Sequence, residues 1–310
     1  MRILIAGGSG LIGTALTRSL LADGHPVWVL TRSPEKANLP HGVAPLGWDG
    51  RTVEGWADVL SQVDAVVNLA GETLARWPWT MPRKQQLWDS RVLAGQALTQ
   101  AIQAASVRPQ VLIQASGVNF YGPHKQELVT EGDGAGTDFL ARLCVDWEAS
   151  TRPVEELGVR RLVIRTAVVF APKGGILPLM LLPLRLFAGG PVGGGRQGLA
   201  WIHLSDEVAA IRFLLKNQNA RGPFNLTTPD PISNADFTRT AARLLRRPYW
   251  LAAPAFALRL VPGQMATLVL DGAYLRPARL QALDFTFRFA NLEDALKDLL
   301  GEKEISANLH

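Results

Sequence analysis

Near the amino terminus, Gly7-Gly8-Ser9-Gly10-Leu11-Ile12-Gly13 places a glycine at every third position, between a short apolar run and a segment of helical period. At such a junction backbone N–H groups and the positive end of a helix can approach a pyrophosphate. Gly7 would allow the turn, Gly10 the close approach and Gly13 the packing of helix on sheet. Ser116, Tyr121 and Glu72 are side chains able to accept, donate or relay a proton, and all three follow apolar runs of strand length. The pattern is that of a phosphate cradle beside a candidate proton-transfer set.

The elements that must position these residues alternate from the start of the chain. Residues 3–6 read as a strand, and Leu11, Ile12, Ala15, Leu16 and Leu20 recur at helical spacing until Asp23-Gly24 ends the helix. Residues 27–30, 43–48, 65–69, 111–115 and 161–164 read as five more strands of the fully buried kind, and 85–105 and 135–157 as long crossover helices. The expected class is α/β: a Rossmann-type doubly wound parallel sheet with a smaller, interleaved C-terminal lobe. Residues 201–204, 205–215 and 224–226 read as strand, helix and strand returning to the main sheet. The expected division is 1–170 plus about 199–228 for the first lobe, 171–198 plus about 229–302 for the second, and a tail at 303–310.

The end of the second strand selects among dinucleotides, because an acid there binds a ribose 2′-hydroxyl and repels a 2′-phosphate. It reads Thr31-Arg32-Ser33, with Lys36 nearby, so a phosphate dianion is favoured and the expected cofactor is NADP, with NADPH preferred over NADH. Asp49, in Asp49-Gly50, reads equally as an adenine contact or as a turn residue.

Composition narrows the class. At 310 residues, with 47% apolar and 19% charged residues, the chain has a large core and no signature of disorder. A net charge of +5 is too modest to imply nucleic acid. The lone cysteine, Cys144, fits a core residue in a reducing, cytoplasmic setting. The apolar stretch at 176–188 carries Pro178, Pro183 and Arg185 and falls well short of the ~20 residues needed to span a membrane. It suits a cleft cover or a subunit contact, as in a homodimer.

Further motifs are Asn68-Leu69-Ala70-Gly71-Glu72, Ser90-Arg91-Val92, Tyr121-Gly122, Asp146-Trp147-Glu148, the loop around Arg196, Trp201-Ile202-His203 and Leu275-Arg276-Pro277. With the glycine turn, they make the chain resemble the extended short-chain dehydrogenase/reductase superfamily, and within it an atypical NAD-dependent epimerase/dehydratase-like, or cell-division-inhibitor-like, group. The resemblance implies NADP lying along the strand ends, with Asn68, Leu69, Ala70 and Gly71 backing the nicotinamide ribose. It gives Ser116 the role of the superfamily's serine. The Tyr-x-x-x-Lys pair of the ordinary members falls on Leu140 and Cys144, which cannot perform its chemistry. Tyr121, Ser116 and Glu72 are therefore the expected alternative set, and Arg91 and Arg196 the expected substrate cations.

The functions in view are an NADP-dependent oxidoreductase acting on a small molecule, an epimerase or dehydratase that retains the cofactor, and a non-catalytic NADP-binding regulator or scaffold.

Overall fold

A computed structural model describes the chain apart from residues 77, 124–126, 192, 252–271 and 307–310, and the side chains of 302–306. His124, read from sequence as a loop residue, and the last part of the tail lie outside the described residues.

The strands are β1 (Ile3–Ala6), β2 (Val27–Thr31), β3 (Ala44–Gly47), β4 (Ala65–Asn68), β5 (Val111–Gly117), Arg160–Thr166 and Gly222–Leu226. They form one parallel seven-stranded sheet, and β3-β2-β1-β4-β5 run on to Arg160–Thr166 and then Gly222–Leu226. In register, Ala6 stands beside Leu30 on one side and Asn68 on the other. Strand order reverses between β1 and β4, and the crevice outside such a switch point is where open parallel sheets receive ligands.

β1 and β4 are buried throughout, and apolar except for Asn68 at the end of β4. The expectation that every strand is of this kind fails at β3, which is mostly exposed because it is the sheet's edge. Around the sheet stand α1 (Leu11–Ala22), α2 (Met81–Ala104) and α3 (Phe139–Ala149). Helix α1 buries Gly13, Leu16, Thr17 and Leu20, the single stripe its spacing dictates. Leu98 on α2, Leu4, Leu60, Val66 and Leu112 share one core, and truncating a leucine there to alanine costs about 3 kcal/mol.

Three further sequence expectations need correction. Helix α2 begins four residues before 85, capped by Thr80 with Pro82 in its first turn. The single helix expected over 135–157 is two pieces, α3 and a 3-10 turn at Arg152–Leu157, because Pro153 has no N–H to continue the ladder. Trp201–His203 does not join the main sheet; it pairs in parallel with Val168–Phe170.

The chain divides into two compact units, one of 1–120, 138–165 and 208–224, the other of 121–137, 166–207 and 225–310. The second is built on a cluster in which Phe170 stacks on Trp201 at 5.3 Å and meets Phe237 at 5.4 Å. Its helix Leu177–Arg185 buries Leu177, Leu181 and Leu184 and exposes Leu179 and Leu182. Among the described residues, no helix is long and apolar enough to cross a membrane.

Candidate functional site

The turn after β1 is shaped by what a side chain would strike. Gly7 has φ +80°, and a Cβ on it would lie 2.6 Å from the Leu69 carbonyl oxygen; a Cβ on Gly13 would overlap Gly7. The loop thus presses against the end of β4 and the start of α1. Helix α1 has Gly10 at its cap, no capping side chain and no acid in its first turn, so the N–H groups of Leu11, Ile12 and Gly13 have no carboxylate competing for them. This donor set and glycine-shaped space fit a dinucleotide's pyrophosphate.

Beside the turn lies a cavity of about 680 Å³. Gly7, Ser9, Gly10, Thr31, Arg32, Leu69, Ala70, Gly71 and Glu72 line it, whereas Gly8, Leu11, Ile12, Gly13 and Asn68 do not reach its wall. Asn68 is fully buried: its amide donates to Gln114 Oε1 at 2.9 Å, and its oxygen accepts from the Ala70 N–H at 3.2 Å, which fixes the loop that follows β4. Asp49 accepts from the N–H groups of Arg51 and Thr52, so it closes a turn as well as lining the cavity.

Charge in the cavity is predominantly positive. Lys36, Arg51, Arg76 and Arg83 join Arg32 on the wall, against Asp49, Glu72 and Asp89. Arg51 and Arg83 were not anticipated. Arg83 sits in the first turn of α2, and the Thr80 cap with Pro82 was the signal that would have placed it there.

Glu72 does not stand as a free acid. Arg32 Nη1 donates to its Oε1 at 3.0 Å, and Arg83 Nη1 lies 3.6 Å from its Oε2. Burial works to raise the Glu72 carboxyl, but Arg32's hydrogen bond and charge, with Arg83 and Arg76 behind them, hold it below its ordinary value. The Ser116 hydroxyl donates to Glu148 Oε1 at 2.7 Å, and Glu148 is gripped through both oxygens by Arg165 at 2.9 and 3.0 Å. Arg165 in turn lies over the Phe120 ring. Tyr121, 1% exposed, donates to Asn225 Oδ1 at 2.6 Å. The three residues expected to share proton transfer thus each have a different partner.

Arg91, expected as a substrate cation, is buried. It donates to the carbonyls of Leu87 and Glu72 and packs on Trp147, and burial pushes its guanidinium down to about 10. In this place it braces the loop after β4. Arg196 is exposed in the second unit, where its carbonyl accepts from the Tyr274 hydroxyl. Leu140 and Cys144 are both buried on α3. Among the described residues, no group of acids, histidines and cysteine is arranged to hold a metal ion.

The model of the NAD-dependent epimerase/dehydratase family matches residues 3–227, which contain the whole cavity wall. The chain belongs to this family. Residues 253–299 match a domain of unknown function, DUF1731. An epimerase family protein of Mycobacterium bovis is 41% identical over 295 residues, covering 95% of this chain and 96% of the relative. One from Staphylococcus aureus is 37% identical over 301 residues, covering 96% and 99%. Among solved structures, the human epimerase family protein SDR39U1, determined with NADPH, superposes with a TM-score of 0.84 at 32% identity, covering 96% of this chain and 99% of that one. Thermus thermophilus UDP-glucose 4-epimerase with NAD, at 18% identity and a TM-score of 0.73, shares the fold. This member of the epimerase/dehydratase family therefore has the family's NAD(P)-binding fold.

Proposed function

We propose that the chain binds NADP(H) in preference to NAD(H) and acts as an oxidoreductase on a small molecule. The observation that carries this is Arg32, at the end of β2, facing the same cavity as the glycine turn where NAD-selective sites place an acid. A guanidinium there matches a 2′-phosphate in charge and geometry. The human relative determined with NADPH supports the reading. Gly7, Gly10 and the start of α1 would hold the pyrophosphate, Thr31 and Arg32 the adenosine ribose phosphate, and Leu69, Ala70 and Gly71 the nicotinamide ribose. The bound nicotinamide would supply or accept hydride.

Proton handling falls to fewer residues than the sequence suggested. Burial pushes the Cys144 thiol up to about 11, and Leu140 has no proton to give. Ser116 is the side chain retained for this role: with its hydrogen directed at Glu148, its oxygen is left to accept from a substrate hydroxyl. A second reading, a non-catalytic NADP-binding regulator, rests on the same Leu140 and Cys144. A third, an epimerase or dehydratase that returns hydride to its substrate, predicts cofactor retained through turnover.

Titration with NADPH and with NADH, followed through quenching of the nine tryptophans, tests the cofactor assignment. Wild type should bind NADPH at least about tenfold more tightly, a gap of about 1.4 kcal/mol, and Arg32→Asp should abolish the preference. Binding of neither nucleotide would overturn the proposal.

A further inference from the structure

Glu72 follows β4 and Arg32 follows β2, and in the sheet β1 runs between those two strands. The ion pair of Arg32 Nη1 with Glu72 Oε1 at 3.0 Å therefore bridges the end of β1, where the glycine turn begins. Its two ends are held very differently. The Glu72 backbone is pinned on both sides, its N–H donating to Ser90 Oγ at 3.0 Å and its carbonyl accepting from Arg91 Nη2 at 2.9 Å. The Glu72 side chain is 21% exposed, while that of Arg32 is 76% exposed and free to swing.

A second cation waits on the other oxygen. Arg83, only 12% exposed, has its Nη1 3.6 Å from Glu72 Oε2 and is anchored by the Thr73 carbonyl and by Gln86. When Arg32 turns away, Glu72 keeps a counter-charge. An acid held beside the phosphate-selecting arginine, able to release it without being stranded, competes with the phosphate for one guanidinium.

We infer that Glu72 is a cofactor-selectivity residue: it holds Arg32 when no adenosine 2′-phosphate is present and yields it to that phosphate when one binds. The inference rests on the NADP reading of Arg32. Glu72 thereby lowers affinity for the 2′-phosphate specifically, whereas its repulsion of the pyrophosphate falls equally on both dinucleotides. This gives the Glu72 carboxylate a part in binding in place of the proton-transfer role expected from the sequence.

The test uses the full chain and two probes that differ only in the phosphate in question, 2′,5′-ADP and 5′-ADP, titrated calorimetrically. The quantity read is the ratio of their affinities in wild type, Glu72→Gln, Arg32→Gln and the double variant. A partly exposed ion pair of this kind is worth about two- to fivefold in affinity. Glu72→Gln should raise the ratio by that factor when Arg32 is present and leave it unchanged in the Arg32→Gln background. Glu72→Asp keeps the charge but withdraws it from Arg32, so it should raise the ratio as well. A wild-type ratio near one overturns the cofactor reading and this inference with it. A ratio well above one that Glu72→Gln leaves unmoved, or an equal rise in the Arg32→Gln background, overturns this inference alone.

Discussion

The turn after β1 and the face between β5 and α3 belong to the same unit, yet they offer a ligand opposite things. At the turn the contact groups are backbone N–H groups at a helix start, with glycines preventing any side chain from filling the space. At the β5 end the polar groups are side chains already joined to one another, Ser116 to Glu148, Glu148 to Arg165 and Arg165 to Phe120. One region leaves its donors open, while the other satisfies its own.

The comparison breaks if the β5 network carries binding, and Glu148→Ala is the sharpest way to find out. Arg165, with only 6% of its side chain exposed, would lose its carboxylate. Removing one partner of a largely buried pair should cost about 3 kcal/mol, read from urea denaturation, while NADPH affinity stays within about twofold. Gly7→Ala should do the reverse. Alanine at φ +80° costs about 1–2 kcal/mol, and its Cβ would press on the Leu69 carbonyl, so affinity for NADPH should fall at least about tenfold. If Glu148→Ala abolished binding and Gly7→Ala did not, the division between the two regions would be wrong.

The same contrast explains what could be read from the sequence. The glycine turn, Arg32 and most sheet strands are local signals, each carried by a few adjacent residues whose backbone demands or burial admit one structure. The Glu148 and Arg165 pair spans 17 positions and Arg32 with Glu72 spans 40, and no periodicity links residues so far apart. Short elements were hard to place for a related reason. The three residues Trp201–His203 are apolar enough for any sheet, and only tertiary pairing with Val168–Phe170 decides which one. Arg91 reads as an available substrate cation because nothing near it in sequence reveals that Trp147 and the Glu72 carbonyl enclose it.

A second buried carboxyl, Glu207, is less fully satisfied than Glu148: among the described residues its Oε2 has no hydrogen-bond partner. Glu207 accepts at 2.8 Å from the Thr166 hydroxyl, and burial pushes its carboxyl up to about 8 from 4.5. It is neutral when folded and ionised when unfolded between those values. Its contribution to stability is therefore complete below about pH 4.5 and is lost as pH rises through about 8, with a slope of at most about 1.4 kcal/mol per pH unit. Glu207→Gln, which keeps a group able to face Thr166, should flatten that decline. Urea midpoints of both proteins at pH 5, 6.5 and 8 would show it, and parallel curves would mean that Glu207 titrates alike in both states.

The smallest expected effect concerns Cys144, which is buried on α3. A lysine there would lend its charge to the chemistry. A thiol pushed from 9 up to about 11, chiefly by burial, stays neutral at physiological pH and can lend none. Cys144→Ala should therefore leave NADPH affinity unchanged and cost only about 1 kcal/mol of stability. A thiol held at about 11 rather than 9 also carries about a hundredfold less thiolate at pH 8 than in the unfolded chain, and burial slows access further. A disulfide reagent at pH 8 should accordingly react with the native protein at least about a hundredfold more slowly than in urea. Rapid native reaction would mean that α3 exposes this face in solution.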